Sequence, residues 1–168
     1  MMKINIAQLR QAIGASQSFS FHTPVEDLAG ETGELWLKGR IEVTGEAVNT
    51  GRLLAISGVI KGVAGQTCHR CLADFTSEAV ITFSENFREE GSAATDPDAL
   101  VYHGDEIDLA EIVREALIVA EPLKALCGED CRGLCPTCGV NRNETPCTCV
   151  TTSIDPRLAA LEKLLPKK

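Results

Sequence analysis

Residues 127–149 read CGEDCRGLCPTCGVNRNETPCTC and hold six of the eight cysteines of a 168-residue chain. Within this stretch, Cys135-Pro136-Thr137-Cys138-Gly139 places two thiols two residues apart on a tight turn, where both can face one ion. Gly139 permits the left-handed backbone that such a turn needs. A second pair, Cys147 and Cys149, follows nine residues later. The pattern is typical of zinc ribbons and of rubredoxin-type iron sites.

The other two cysteines lie in Cys68-His69-Arg70-Cys71, so the eight divide as four plus four. Our preferred partition forms one metal site from Cys135, Cys138, Cys147 and Cys149, and a second from Cys68, Cys71, Cys127 and Cys131. The predicted cofactor is one or two Zn²⁺ ions; iron stays open, since four thiolates do not distinguish the two metals. Nearby arginines would offset the thiolate charge, and the candidates are Arg70, Arg132 and Arg142.

Composition and net charge exclude some classes of function. Lys plus Arg number 16 against 24 Asp plus Glu, a formal net charge of −8, and 4% of residues are aromatic. These values argue against a uniformly basic nucleic-acid surface and against a broad base-stacking platform. Neither a signal-peptide pattern nor a run of about 18 apolar residues is present, which predicts a cytoplasmic protein without a membrane partner. Reduced thiols in that compartment favour metal binding over disulfides.

Catalytic signatures are missing from the sequence. It contains no glycine-rich phosphate loop, no G-x-S-x-G elbow and no H-E-x-x-H motif, and His22 and His103 stand alone in polar stretches. We therefore expect a non-enzymatic protein without a small-molecule substrate.

Four other interpretations of the cysteines stay open. Cys131-x3-Cys135-x2-Cys138 has the spacing of radical enzymes that bind S-adenosylmethionine, although those need a large barrel around the motif. Cys68-x2-Cys71 has the spacing of a thioredoxin-like redox pair. An electron-transfer iron site and a zinc-stabilised protein-binding module unrelated to ribosomes are further alternatives.

The rest of the chain predicts an α+β fold. Residues 35–44 and 52–63 read as an antiparallel hairpin around the turn Asn49-Thr50-Gly51, with Gly39 as a bulge, and residues 80–87 as a third strand. Residues 88–105 are acidic and rich in small side chains, which predicts a loop. A helix begins at Asp108, which with Glu111 resembles a capping box, and ends at Pro122. Ile118 and Val119 widen its apolar face and predict cover on more than one side.

We therefore predict an antiparallel β-sheet with a packed central helix and a C-terminal cysteine-rich zinc-binding segment. Residues 1–126 would form the α+β domain. Residues 127–168 would form the metal-binding segment, packed on the same domain. Its final helix would begin at Asp155-Pro156 and carry a leucine stripe.

Several stretches resemble the bacterial YceD-like family of large-ribosomal-RNA-subunit accumulation proteins. The matching pieces occur in the family's order over most of the chain: CHRCL from Cys68, IDLAEIVREAL from Ile107, EPLKALC from Glu121, CRGLCPTCGVNRN from Cys131, the C-x-C at Cys147, and IDPRLAALEKLL from Ile154. GLCPTCG and IDPRLAALEKLL are the most specific of them.

The resemblance implies a role in accumulation or processing of large-subunit ribosomal RNA, without catalytic activity. The implied partner is the large-subunit ribosomal RNA precursor, and the acidic charge of the chain gives a basic ribosomal protein as the alternative. Contact with RNA would need a local basic face, for which the candidates are Arg132, Arg142, Arg157 and Lys163. An acidic body would instead suit a basic protein.

Overall fold

The computed structural model describes residues 2–29, 35–92, 96–149 and 157. The chain divides into two compact units. The sheet unit comprises Met1–Gln66 and Phe75–Leu123, and the cysteine unit comprises Thr67–Asp74 and Lys124–Lys168. The strands are β1 (Lys3–Asn5), β2 (Ser16–Pro24), β3 (Leu37–Asn49), β4 (Leu54–Thr67), β5 (Asp74–Glu89), β6 (Leu100–Tyr102) and β7 (Glu106–Asp108), and the helix is α1 (Ala110–Val119). Short 3-10 helices cover Leu9–Gln11 and Val25–Leu28.

Five strands form one sheet in the order β2-β3-β4-β5-β6, and β1 pairs with β7 in a separate antiparallel ribbon. The predicted hairpin is confirmed as β3 and β4, which are antiparallel with Asn49 opposite Leu54. The register shifts between Lys38 and Glu42, which places the irregularity at the predicted bulge. Alternation along β3 buries its apolar face against the core and leaves the other face polar.

The sheet is mostly antiparallel, as predicted, but one edge differs, because β6 runs parallel to β5 with Phe87 opposite Leu100. It lies inside residues 88–105, which the sequence predicted as a loop. A strand of three residues carries almost no periodic signal, and its pairing depends on a tertiary contact. Tyr102 is buried, and the Arg10 guanidinium lies 5.8 Å from the centre of its ring.

The central helix is confirmed in α1, but its start and its cover differ from the prediction. The carboxylate of Asp108 accepts the N–H of Ala110 at 3.0 Å, whereas Glu111 pairs with Arg114 at 2.8 Å and completes no capping box. Ile118 is 45% exposed and Val119 is 85% exposed, so the predicted cover on a second side is wrong. Their positions fall beside the buried stripe, which consists of Ile112, Val113 and Leu117.

Paired glycines admit aromatic rings to the core of the sheet unit. Gly45 and Gly58 lie opposite each other in the β3–β4 register, and a Cβ on them would lie 2.5 Å from the Phe19 ring and 2.7 Å from the Phe83 ring respectively. Trp36 packs against the same core and donates its indole N–H to the Leu117 carbonyl at 2.7 Å. The predicted C-terminal helix lies outside the described residues.

Candidate metal centres

All eight cysteines lie in the cysteine unit and form two groups of four sulfurs. Within each group the sulfur atoms lie within 4.8 Å of one another. Cluster 1 consists of Cys68, Cys71, Cys127 and Cys131, and cluster 2 of Cys135, Cys138, Cys147 and Cys149. The structure thus brings the cysteines together in the two sets that the spacing favoured.

Sulfur separations in cluster 1 match a four-thiolate metal site. The Cys68 and Cys131 sulfurs lie 3.8 Å apart, and those of Cys71 and Cys127 lie 3.7 Å apart. A disulfide would hold its sulfurs about 2.05 Å apart. Four sulfurs placed tetrahedrally at about 2.3 Å from a Zn²⁺ would be separated by about 3.8 Å. The donor set and its spacing therefore fit zinc.

A tight turn between β4 and β5 presents the first two ligands. The Cys68 N–H donates to the Ala73 carbonyl and the Leu72 N–H to the Cys68 carbonyl, both at 2.9 Å. Leu72 adopts a left-handed backbone with φ 57°. The His69 N–H donates to the Ala125 carbonyl at 2.9 Å, which ties this turn to the segment that carries Cys127 and Cys131.

Arg70 connects the two segments of cluster 1 through hydrogen bonds. Its backbone N–H donates to the Cys68 sulfur at 3.4 Å, and its carbonyl accepts the Leu134 N–H at 3.0 Å. Its guanidinium donates to the carbonyls of Glu129 at 3.0 Å and Cys131 at 3.1 Å. The positive charge therefore lies beside the thiols, as expected for an arginine that offsets their charge.

Cluster 2 begins with a knuckle whose backbone closes on itself. The Cys135 N–H donates to the Val140 carbonyl at 2.9 Å, and the Gly139 N–H donates to the Cys135 carbonyl at 2.8 Å. Gly139 has φ 74°, the left-handed conformation that the sequence predicted at this position. The turn directs backbone N–H groups toward the Cys135 sulfur.

In cluster 1, hydrogen bonds lower the pKa of two thiols, whereas neighbouring sulfurs and desolvation raise the pKa of the other two. The N–H of Cys127, followed by those of Cys71 and Arg70, lowers the pKa of Cys68 to about 5. The neighbouring sulfurs, Cys131 first, raise the pKa of Cys127 to about 12. At Cys71 the Ala73 N–H favours the thiolate, but desolvation and the Cys68 sulfur outweigh it and raise the pKa. At Cys131 desolvation opposes ionisation, but bonds from the Asn143 amide and the Gly133 N–H lower the pKa.

Cluster 2 shows the same division. The N–H groups of Cys138 and Thr137 lower the pKa of Cys135 to about 6. The Cys138 sulfur raises the pKa of Cys149 to about 12, and the Cys135 sulfur raises that of Cys147. In both clusters, ionisation of one thiol therefore opposes ionisation of its neighbours. A cation among the sulfurs would relieve this repulsion.

The described part of the cysteine unit buries few apolar side chains. Among its described residues, the buried hydrophobic side chains are those of Cys68, Cys71, Cys135 and Ala125. A unit without larger buried apolar side chains in its described part gains little from the hydrophobic effect. The residues present therefore fit a structural metal, which when bound would crosslink the chain segments.

Asn143 is a residue of the centre that sequence reasoning missed. Its side-chain amide donates to the Cys131 sulfur at 3.3 Å, while its side-chain oxygen accepts the Arg132 N–H at 2.7 Å. Asn141 supports it, because the Asn141 side-chain oxygen accepts the backbone N–H of Asn143 at 3.1 Å and its amide at 2.9 Å. The available signal was the Asn-x-Asn between the knuckle and the C-x-C, since asparagines form such local bonds in turns.

Two alternative cysteine interpretations conflict with this arrangement. The radical-enzyme spacing requires Cys131, Cys135 and Cys138 to share a site, but Cys131 belongs to cluster 1 and the other two to cluster 2. A thioredoxin-like pair at Cys68 and Cys71 would precede a helix, whereas this pair precedes β5.

The structure describes three of the four basic residues that were predicted to contact RNA or a partner. Arg132, Arg142 and Arg157 are exposed, and Lys163 lies outside the described residues. The Arg142 N–H donates to the Gly133 carbonyl at 3.0 Å.

No helix in residues 2–29, 35–92, 96–149 and 157 combines the length and apolar character that a membrane span requires.

Comparisons with known proteins place the chain among related sequences. Residues 56–165 match the family model described as Large ribosomal RNA subunit accumulation protein YceD. An uncharacterized protein of Mycobacterium tuberculosis (strain ATCC 25618 / H37Rv) is 30% identical over 174 residues, covering 98% of this chain and 81% of the relative. Uncharacterized protein YlbN of Bacillus subtilis (strain 168) is 30% identical over 168 residues, covering 98% and 96%.

A plant protein shares a shorter region. Large ribosomal RNA subunit accumulation protein YCED homolog 1, chloroplastic, of Zea mays is 44% identical over 45 residues, covering 26% of this chain and 15% of the relative. No solved structure matches the chain.

Proposed function

This chain belongs to the YceD family of large ribosomal RNA subunit accumulation proteins, and from that premise we propose that it is a cytoplasmic, non-enzymatic factor in assembly of the large ribosomal subunit. The observation that carries the proposal is the family match over residues 56–165, which includes all eight cysteines of the two clusters. In this role the protein supports accumulation or processing of the large-subunit ribosomal RNA.

Each cluster holds one structural Zn²⁺ in this proposal. The support is the closed set of four sulfurs, their spacing in cluster 1 and the few buried apolar side chains of the described cysteine unit. Structural zinc sites are closed by four protein ligands, whereas catalytic sites keep a position open. Metal analysis of protein purified without added metal separates zinc from iron, and an iron spectrum would favour the electron-transfer alternative.

Charge favours a basic ribosomal protein over bare RNA as the direct partner. The ranges of the sheet unit contain 8 Lys and Arg against 18 Asp and Glu, and those of the cysteine unit contain 8 against 6. Eight thiolates around two Zn²⁺ would make the cysteine unit negative as well. A strongly acidic surface attracts basic proteins and repels phosphates.

Depletion of the protein in its native host tests the proposed function. We expect the ratio of large-subunit to small-subunit ribosomal RNA to fall, and the wild-type chain to restore it. A chain with Cys68→Ser and Cys71→Ser should restore it less, because cluster 1 could no longer stabilise the cysteine unit. An unchanged RNA ratio after depletion contradicts the proposal.

Sedimentation of cell extracts is a second, independent test of the proposed function. We expect the wild-type protein to migrate with large-subunit precursor particles. The alternative of a zinc-stabilised module unrelated to ribosomes predicts that the protein stays at the top of the gradient.

A further inference from the structure

We propose that Asn143 couples the two metal sites, so that closure of cluster 2 holds a hydrogen-bond donor against a ligand of cluster 1. This inference rests on the proposed function only in assuming metal at both clusters. Asn143 lies between the knuckle and Cys147, in the segment that cluster 2 closes. Its amide nevertheless points to Cys131, a member of cluster 1, with a separation of 3.3 Å.

A continuous set of hydrogen bonds connects Asn143 to the knuckle. The side-chain oxygen of Asn141 accepts both the backbone N–H and the amide of Asn143. Asn141 in turn forms a β-bridge with Leu134, the residue before Cys135. The Asn141 amide donates to the Glu144 carboxylate at 2.7 Å, and the Thr145 N–H donates to the Asn141 carbonyl at 3.0 Å. The position of Asn143 is therefore set by the folded knuckle hairpin.

The other side of the connection lies on cluster 1. The Arg132 N–H donates to the Asn143 side-chain oxygen, which fixes the amide so that its nitrogen faces the adjacent Cys131 sulfur. A hydrogen bond to a thiolate stabilises its charge and orients it toward the metal. Loss of cluster 2 would release the hairpin, withdraw this donor and weaken the hold of cluster 1 on its ion. Asn143 acts through Cys131 and is a positioning residue.

Cadmium NMR of the purified full-length chain tests the coupling. Cd²⁺ replaces zinc at thiolate sites and gives one ¹¹³Cd resonance for each site, and Cys68→Ser identifies the resonance of cluster 1. We expect Asn143→Ala to shift the cluster 1 resonance and to accelerate loss of that ion to a chelator by about 10- to 100-fold. Because coupling between two binding sites is reciprocal, cluster 2 should also hold its ion less tightly in Asn143→Ala, by a factor no larger than that at cluster 1. Thr145→Ala, an exposed position in the same loop, is the matched control.

A double-mutant cycle separates coupling from general destabilisation. Cys135→Ser with Cys138→Ser removes cluster 2 and should accelerate ion loss from cluster 1 in the wild-type background. It should have much less effect when Asn143 is already alanine, because the connection is then broken. Asn143→Asp keeps the acceptor for Arg132 but loses the donor, and should weaken cluster 1 as well.

Three outcomes overturn the inference: an unchanged cluster 1 in Asn143→Ala, an effect of removing cluster 2 that is the same with Asn143 and with alanine at this position, or a chain that takes up no Cd²⁺. The first two outcomes leave the proposed function intact, since these measurements use purified protein and do not involve ribosomal particles. The third also removes the proposed zinc sites, and depletion in the native host tests the ribosomal role separately.

Discussion

Gly133 leaves no room for a side chain between the two clusters. It has φ 68°, and a Cβ at this position would lie 2.9 Å from the Arg70 carbonyl oxygen, which accepts the Leu134 N–H. We expect Gly133→Ala to destabilise the metal-loaded protein by about 1–3 kcal/mol, because it adds backbone strain and separates Arg70 from Leu134. Thermal unfolding and the rate of zinc transfer to a chelator measure the effect.

Gly128→Ala is the matched control for that substitution. Nothing lies within 4 Å of a Cβ at Gly128, and its backbone is outside the left-handed region. Its stability should change by no more than about 0.5 kcal/mol. Equal effects of the two substitutions would mean that the contact between Gly133 and Arg70 does not matter.

The thiol pKa values predict how the affinity of cluster 1 depends on pH. Cys68, with a pKa of about 5, is already a thiolate between pH 6 and 8 and releases no proton on metal binding. Cys71 and Cys127 have pKa values above the ordinary 9.0 and release one proton each. Cys131, whose pKa is lowered, releases at most one. Zinc affinity should therefore rise with pH by about two to three powers of ten per pH unit.

Chelator competition between pH 6 and 8 measures this slope. The intact chain keeps the Asn143 donor at Cys131 in place, so the measurement uses it and follows cluster 1 through the ¹¹³Cd resonance assigned with Cys68→Ser. A slope of about four would show that all four thiols titrate as they do in an unfolded chain, and that the folded turn does not pre-ionise Cys68.

At the scale of the residue, the sequence predicted how the cysteines group into two sites but not which residues hydrogen-bond to their sulfurs. Spacing of two residues within a turn is a local property, so the knuckle and the four-plus-four division were accessible. Asn143 depends on a contact with Cys131, twelve residues earlier, after the hairpin has closed. Such a contact has no periodic signature. From the sequence alone, an asparagine in a loop is as well explained as an ordinary turn residue as it is as a hydrogen-bond donor to a metal ligand.

At the scale of the element, glycines opposite one another in β3 and β4 determine how the sheet packs. A Cβ at Gly58 would lie 2.7 Å from both the Phe83 ring and the Thr44 carbonyl oxygen. We expect Gly58→Ala to destabilise the sheet unit by about 1–3 kcal/mol, because the ring must leave its position over the strand. Urea unfolding followed by the fluorescence of Trp36, the single tryptophan, measures this.

Ser57→Ala provides the comparison for the Gly58 substitution. Ser57 precedes Gly58 on β4 and is exposed, so its replacement should alter stability by less than about 0.5 kcal/mol. A Gly58→Ala variant as stable as Ser57→Ala would show that the core accommodates the extra methyl group.

Elements with a repeating pattern were predictable, and those defined by distant partners were not. The β3–β4 hairpin and α1 have periods of two and 3.6 residues over many positions, which the sequence displays directly. β6 has three residues and pairs in parallel with β5, so its existence depends on a crossover connection. The end of α1 shows the converse error. The hydrophobicity of Ile118 and Val119 predicts cover on more than one side of the helix, yet both side chains are exposed.

At the scale of the whole molecule, the uneven distribution of charge favours a basic protein over RNA as the partner. The formal net charge of −8 arises in the ranges of the sheet unit, where acidic residues outnumber basic ones by 18 to 8. We expect the purified, metal-loaded chain to bind the basic protein fraction of the large subunit more tightly than protein-free large-subunit RNA. Binding to RNA should stay within the non-specific range of about 10⁻⁴ to 10⁻⁶ M.

Charge reversal at the exposed arginines decides between these partners. Arg132→Glu with Arg142→Glu should leave binding to the basic protein fraction unchanged, because the acidic residues that attract it lie mainly in the ranges of the sheet unit. Lys61→Glu reverses one charge on β4, outside the ranges of the cysteine unit, and is the control for RNA binding. Tight RNA binding that falls steeply with salt and disappears in the double variant would instead identify the cysteine unit as an RNA-binding surface. In that case local arginines, and not the net charge of the chain, would select the partner.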